Sequence, residues 1–167
     1  MLERFKEKTM FFTESGRIIS YCGNIYAKDI QRIGGGSRRI DSVDGLFEIL
    51  LKVWRRETAY PSCQKEYDHT NDPTYGQCAI TAMLVCDMFG GTIHKIRVEG
   101  GGTHYFNKLN EHYIDLTSDQ FDLYGIPVDY EHNNVVPREY CGKNADTQKR
   151  YKLLVRAVAE YLDSVDN

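Results

Sequence analysis

No apolar run in the chain approaches the ~18 residues of a membrane-spanning helix. Its opening residues, Met1-Leu2-Glu3-Arg4-Phe5-Lys6, also lack the apolar core of a secretory signal. Both absences lead to the expectation of a cytoplasmic protein with no membrane partner. Neither sign of charge dominates: 21 basic against 24 acidic residues leave a net −3. That is too little to draw the chain towards nucleic acid or an anionic surface. A nucleic-acid role would rest only on Arg32, Arg38 and Arg39, so nucleic acid is not expected as a partner. Cysteine is scarce and odd in number, with five residues at 22, 63, 78, 86 and 141. They lack the spacing of a disulfide framework and read as reduced thiols. Paired metal-ligand spacing is missing too, because Cys63, His69 and Cys78 match no short zinc pattern; no metal or cofactor is expected. Gly34-Gly35-Gly36-Ser37-Arg38-Arg39 lacks the Lys-Ser/Thr of a phosphate-binding loop and reads as a linker.

What the chain does contain is organised around residues 75–91. A turn at Pro73 to Gly76 releases the run from Gln77 to Phe89, apolar on nearly every side, which Gly90-Gly91 stops. The run is too long for one buried strand and predicts a helix of three to four turns. With no polar face, that helix has to be central. Cys78 falls in its first turn, where unpaired N–H groups and the helix dipole favour an anion, so its thiol is either a nucleophile or a small apolar filler. Cys86, about 12 Å further along the axis, is too far away to be bridged to it.

Upstream, residues 10–13 and 17–21 flank Glu14-Ser15-Gly16 and predict a hairpin. Residues 1–40 are set apart as an N-terminal extension made of this hairpin and the glycine-rich linker, and 41–167 as the main domain. Ser42 is an N-cap for a helix whose apolar stripe includes Leu46, Phe47, Leu50, Val53 and Trp54. Trp54 is core by default and a candidate for the base of a substrate cleft. Residues 58–74 read as a long polar loop, and a loop of that length before a candidate nucleophile is expected to wall its cleft. Downstream, residues 92–99, 103–109 and 112–117 alternate as strands. If Asn110-Glu111 is a two-residue turn, Leu109 pairs with His112. His104 and Asp115 then project from one face as diagonal neighbours. Residues 122–141 are irregular and cover the sheet or the cleft, and a final helix spans about 146–163.

A thiol at a helix start, an imidazole on one strand and a carboxylate on the next make a chemically coherent set. The imidazole takes the thiol proton, and the carboxylate orients the imidazole and favours its cationic form. The Cys78 N–H with the side-chain amide of Gln77 or Gln120 supplies candidate oxyanion donors. Tyr75, Tyr105 and Asn107 flank these positions and join Trp54 as candidate cleft residues. His94, His112 and His132 have no such partner and read as exposed or satisfied.

Ordered blocks at 54–61 (WRRETAYP), 73–89 (PTYGQCAITAMLVCDMF), 103–109 (THYFNKL), 114–121 (IDLTSDQF) and 146–154 (DTQKRYKLL) resemble the YunG-like family of small bacterial proteins. The resemblance implies an α+β, papain-like or transglutaminase-like single domain, with the cysteine-bearing helix packed on an antiparallel sheet. It also implies Cys78, His104 and Asp115 as a triad. The expected activity is that of a cysteine-nucleophile hydrolase or acyltransferase acting through a thioester on a peptide, a protein side-chain amide or a small amide. The alternative is a non-catalytic binding or inhibitory module on the same fold.

Overall fold

The computed structural model describes residues 8–12, 16–23, 40–98 and 102–165. Strands β1 (Lys8–Phe12) and β2 (Ile18–Gly23) form the expected hairpin, with Met10 opposite Ser20. The basic glycine-rich stretch that follows lies outside the described residues. Helix α1 (Val43–Val53) starts at Ser42, whose hydroxyl accepts from the Gly45 N–H at 3.0 Å. Residues 58–74 were expected to be a loop and instead carry short helices, α2 (Pro61–Gln64) and α3 (Tyr67–Thr70). Pro61 sits at a first helical position, where its missing N–H has no intrahelical partner to lose. The central helix α4 (Cys78–Phe89) follows, and Ile80, Met83, Leu84, Val85 and Met88 on it are buried. Its apolar circumference is thus explained by packing on several sides.

Strands β3 (Thr92–Arg97), β4 (Thr103–Leu109) and β5 (His112–Asp115) form an antiparallel meander. Asn110 and Glu111 have φ values of 45° and 67°, which is the two-residue hairpin geometry, and Leu109 pairs with His112 as expected. β5 ends two residues earlier than its pattern predicts. The Asp115 side chain accepts the Thr117 N–H at 3.0 Å and turns the chain away. Helix α5 (Asp119–Asp122), the short strand β6 (Asn134–Val136), helix α6 (Arg138–Cys141) and the long helix α7 (Ala145–Val165) complete the chain. The segment read as irregular therefore supplies one edge strand and a helical turn.

The sheet has the order β1-β2-β5-β4-β3-β6, with antiparallel neighbours throughout. The residues set apart as an extension contribute two of its six strands, and Ile19 and Tyr21 of β2 are buried in the main core. One face carries Ile19, Tyr21, Leu109 and Ile114, which pack with α1, α4 and α7 through Phe47, Leu50, Leu84, Met88, Leu154 and Val158. The other carries Ile96 and Phe106, covered by Phe121, Ile126, Val128 and Tyr130. The architecture is α+β with helices on an antiparallel sheet. Among the described residues no helix is long and apolar enough to cross a membrane.

The hand-over from α4 to β3 is sterically tight. Gly91 has φ +72°, and a Cβ there would meet the Lys108 carbonyl oxygen at 2.2 Å and Leu109 Cδ2 at 2.7 Å. Gly91→Ala should therefore lower unfolding free energy by roughly 2–4 kcal/mol, combining left-handed strain with backbone overlap. Urea denaturation of the two proteins measures this, and a change below about 0.5 kcal/mol would mean that the turn relaxes freely.

Candidate functional site

The register of β4 and β5 decides which side chains meet. Along β4, Tyr105, Asn107 and Leu109 face α4, as the Asn107 Nδ2 bond to the Ala82 carbonyl (2.9 Å) and the burial of Leu109 show. His104 and Phe106 face the other way. Asp115 lies on that second face, and its Oδ2 accepts from His104 Nε2 at 2.6 Å. Both are sealed, at 1% and 2% exposure. Phe121 meets the imidazole edge-on at 4.6 Å between centroids, which limits rotation of the ring.

Asp115 is held from three directions. Its Oδ1 accepts from Thr117 N and Thr117 Oγ1 at 3.0 and 3.2 Å. Its Oδ2 is shared between His104 and the hydroxyl of Tyr130, the latter at 2.6 Å. Tyr130 lies in an irregular stretch with no periodicity to mark a role for it. Burial pushes its own hydroxyl pKa well upward, so it stays a donor. On the far side, Cys22 of β2 pairs with Asp115, and the Cys22 N–H donates to Ser118 Oγ at 3.0 Å. Arg17 reaches Asp119 at 2.9 Å and lies 3.9 Å from buried Asp72.

The imidazole is electrostatically biased. Burial works against its charged form, but the charge and hydrogen bond of Asp115 outweigh burial, and Cys78 adds to them in the same direction. The result is a pKa raised to about 10. Nε2 is taken by Asp115, while Nδ1 is buried without a formed hydrogen bond among the described residues. Nδ1 is thus the nitrogen left to the Cys78 thiol, in the loose geometry usual for an unliganded site.

Cys78 begins α4, which no side chain caps. Gln77 does not serve there: its Nε2 donates to the Arg55 carbonyl at 3.0 Å and the residue is fully buried. Gln120 faces the cavity instead, with Nε2 also donating to the Thr117 carbonyl at 2.9 Å. The cavity encloses about 630 Å³. Tyr60, Cys63, Tyr75 and Gly76 form one wall, as expected for the stretch before the cysteine. Tyr105, Phe121, Tyr124 and Cys141 line other sides, and His104 and Cys78 lie at the junction. Two expected cleft residues are elsewhere. Trp54 is buried in the core with Nε1 on Thr81 Oγ1 at 3.1 Å, and Asn107 is spent on α4. Neither lines the cavity.

The family model described as "YunG protein" matches residues 42–163, almost three quarters of the chain. The chain belongs to the YunG family. An uncharacterized YunG protein of Bacillus subtilis (strain 168) is 35% identical over 94 residues, covering 56% of this chain and 76% of that protein. No solved structure gives a significant match. The YunG match contains Cys78, His104, Asp115 and Tyr130, whereas the β1–β2 hairpin that flanks Asp115 falls before it.

The raised His104 pKa has a thermodynamic consequence. A group with a folded pKa above its unfolded value stabilises fully below the unfolded value, near 6.5, and loses that contribution as pH rises towards the folded one. Asp72, pushed up to about 6 chiefly by burial, has already titrated below that window, and the cysteines raised by burial titrate above it; exposed His132, raised by its bond to Asp129, adds a decline of the same sign that is common to the parent and the Asp115 variant. Stability should therefore fall between pH 6.5 and 8.5, and Asp115→Asn, which removes the charge favouring imidazolium, should flatten the decline. Urea midpoints at the two pH values read this. Equal slopes in both proteins would show that His104 is neutral throughout.

Proposed function

We propose that this chain is a cysteine-nucleophile hydrolase or acyltransferase on a papain-like or transglutaminase-like arrangement, with Cys78, His104 and Asp115 as its triad. The observation that carries this reading is the buried imidazole. Asp115 holds one nitrogen, and the other is left for a thiol at the uncapped start of the central helix.

In the reaction, Cys78 Sγ attacks the carbonyl carbon of an amide while its proton resides on His104 Nδ1. The carbonyl oxygen takes up negative charge next to the N–H groups of the first turn of α4, with the Gln120 amide as the side-chain donor within the cavity. Collapse breaks the C–N bond, the His104 proton passes to the departing amine, and a thioester remains on Cys78. Water, or an amine acceptor, then gives a proton to His104 and attacks the thioester. The acyl group leaves as acid or as new amide, and the proton returns to sulfur. Asp115 stays ionised and keeps the imidazole oriented, as in related triads. Tyr130 acts only through Asp115.

Cys86 supplies an internal control. It lies two turns further along the same helix, and burial, then the charge of Asp87, raise its pKa. Iodoacetamide at about pH 6, below the ~8.5 of a free thiol, should alkylate Cys78 at least about tenfold faster than Cys86, in line with the reactivity of helix-start thiols beside imidazolium. His104→Ala should remove most of that difference, and Asp115→Asn less of it. Peptide mapping gives the order of labelling. Slow and equal labelling of both cysteines, indifferent to His104, would leave a non-catalytic binding module as the better reading.

A further inference from the structure

The charge on the cavity walls is one-sided. The chain as a whole has more acidic than basic residues, yet the described residues lining the cavity include Lys143, Arg150 and His104 and no Asp or Glu. Arg150 is only 3% exposed and is committed to the fold: it donates to Asp146, the Thr58 carbonyl and Thr147, and lies over the ring of Tyr60. Lys143 is different. Its ammonium sits 4.2 Å from the centre of the Tyr140 ring, also on the cavity wall, and no carboxylate among the described residues pairs with it. Lys95 approaches the same ring at 4.5 Å and donates to its hydroxyl at 3.0 Å, again without a carboxylate partner among the described residues. Two ammonium groups thus approach one phenol of the cavity wall, Lys143 from the lining itself and Lys95 through Tyr140. Hydrogen bonding from Lys95, followed by the charges of both lysines, pulls the Tyr140 pKa down, the sign expected of an electropositive rim.

We propose, building on Cys78 as nucleophile, that the cavity selects a small acyl substrate bearing a carboxylate, which docks at Lys143, with Lys95 adding its charge from behind Tyr140, while its scissile carbonyl lies at Cys78. A volume of about 630 Å³ is in the range of small-molecule sites. Tyr60, Tyr75, Tyr105, Phe121 and Tyr124 provide the apolar sides. A cationic substrate would meet unpaired ammonium groups and, among the described residues, no carboxylate to receive it. An anionic one gains charge-assisted hydrogen bonds from an ammonium that no carboxylate among the described residues already holds.

Two alkylating agents of the same size test this without a known substrate. Iodoacetate carries a carboxylate and iodoacetamide does not; in both, Sγ–C bond formation expels iodide. The rate ratio of iodoacetate to iodoacetamide at Cys78 should exceed the ratio for N-acetylcysteine amide under the same conditions. Lys143→Glu should lower the protein's ratio by roughly twofold to fivefold, the size expected for reversing an exposed charge, and Lys143→Gln should lower it by less. Lys152→Glu makes the same change in net charge at an exposed position of α7 outside the cavity and should leave the ratio unaltered. Labelling of Cys78 by both agents with a ratio indifferent to Lys143 would overturn the carboxylate preference while leaving the nucleophile intact. Failure of both agents to label Cys78 ahead of Cys86 would overturn the nucleophile, and the substrate assignment with it.

Discussion

A histidine and an aspartate removed from water must satisfy one another, and the pair of His104 and Asp115 sets conditions for much of the chain. An ionised carboxylate in a protein interior is costly unless its lone pairs are occupied. Asp115 meets that requirement with four donors: Nε2 of His104, the hydroxyl of Tyr130, and the N–H and hydroxyl of Thr117. They come from β4, from the stretch between α5 and β6, and from the turn after β5. Moving any of the three leaves a buried oxygen short of a partner. The two-residue turn at Asn110 and Glu111 matters for the same reason. Sliding β5 by one residue would carry Asp115 to the apolar face that packs on α4, beside Leu109, and turn Ile114 away from it.

The N-terminal hairpin belongs to this arrangement, although the YunG match begins at residue 42. Without β2, β5 would be an edge strand, with one row of backbone groups open to water or to another chain. With it, Ile114 is paired on both sides, Asp115 is paired with Cys22, and the Cys22 N–H is tied to Ser118 in the turn that supplies Thr117. Arg17 extends the connection by joining the start of β2 to Asp119, the neighbour of Gln120. Calling these residues an extension by position in sequence undervalues what they do in space. Their apolar side chains are also core, since Ile19 and Tyr21 lie with Phe47 of α1 and Leu84 of α4.

Much of this was legible because it depends on local periodicity. The apolar run ended by Gly90 predicted α4, Ser42 predicted the start of α1, and alternation with a two-residue turn placed His104 and Asp115 on one face. The features that were not legible depend on partners distant in sequence. A tryptophan or a side-chain amide near a reactive cysteine suits a cleft and a core equally well. The outcome was set by the Thr81 hydroxyl for Trp54, the Ala82 carbonyl for Asn107 and the Arg55 carbonyl for Gln77. Each of those polar atoms needed a buried partner, and each claimed the nearest donor. Tyr130 was hidden for a related reason: a single tyrosine in an aperiodic stretch has no pattern to reveal that its hydroxyl ends on a carboxylate.

The same distinction between composition and placement applies to the thiols. Cys63, Cys78 and Cys141 all line one cavity, and none of the described cysteines is in a disulfide. Burial raises the pKa of Cys63, and it pushes that of Cys141 up to about 12, so both sulfurs hold their protons near neutral pH. Cys141 packs with Ala82, Met83 and Ile93, an apolar setting in which the loss of water outweighs the charges of Arg138 and Lys95. Only Cys78 combines the start of a long uncapped helix with an imidazole that a buried carboxylate biases towards its charged form. The proposed nucleophile rests on that combination of a helix start and an imidazolium, which Cys63 and Cys141 lack. In the proposed reading, the sulfur set apart among these three thiols is the one at a helix start, and the strand register that turns His104 towards the cavity is what sets it apart.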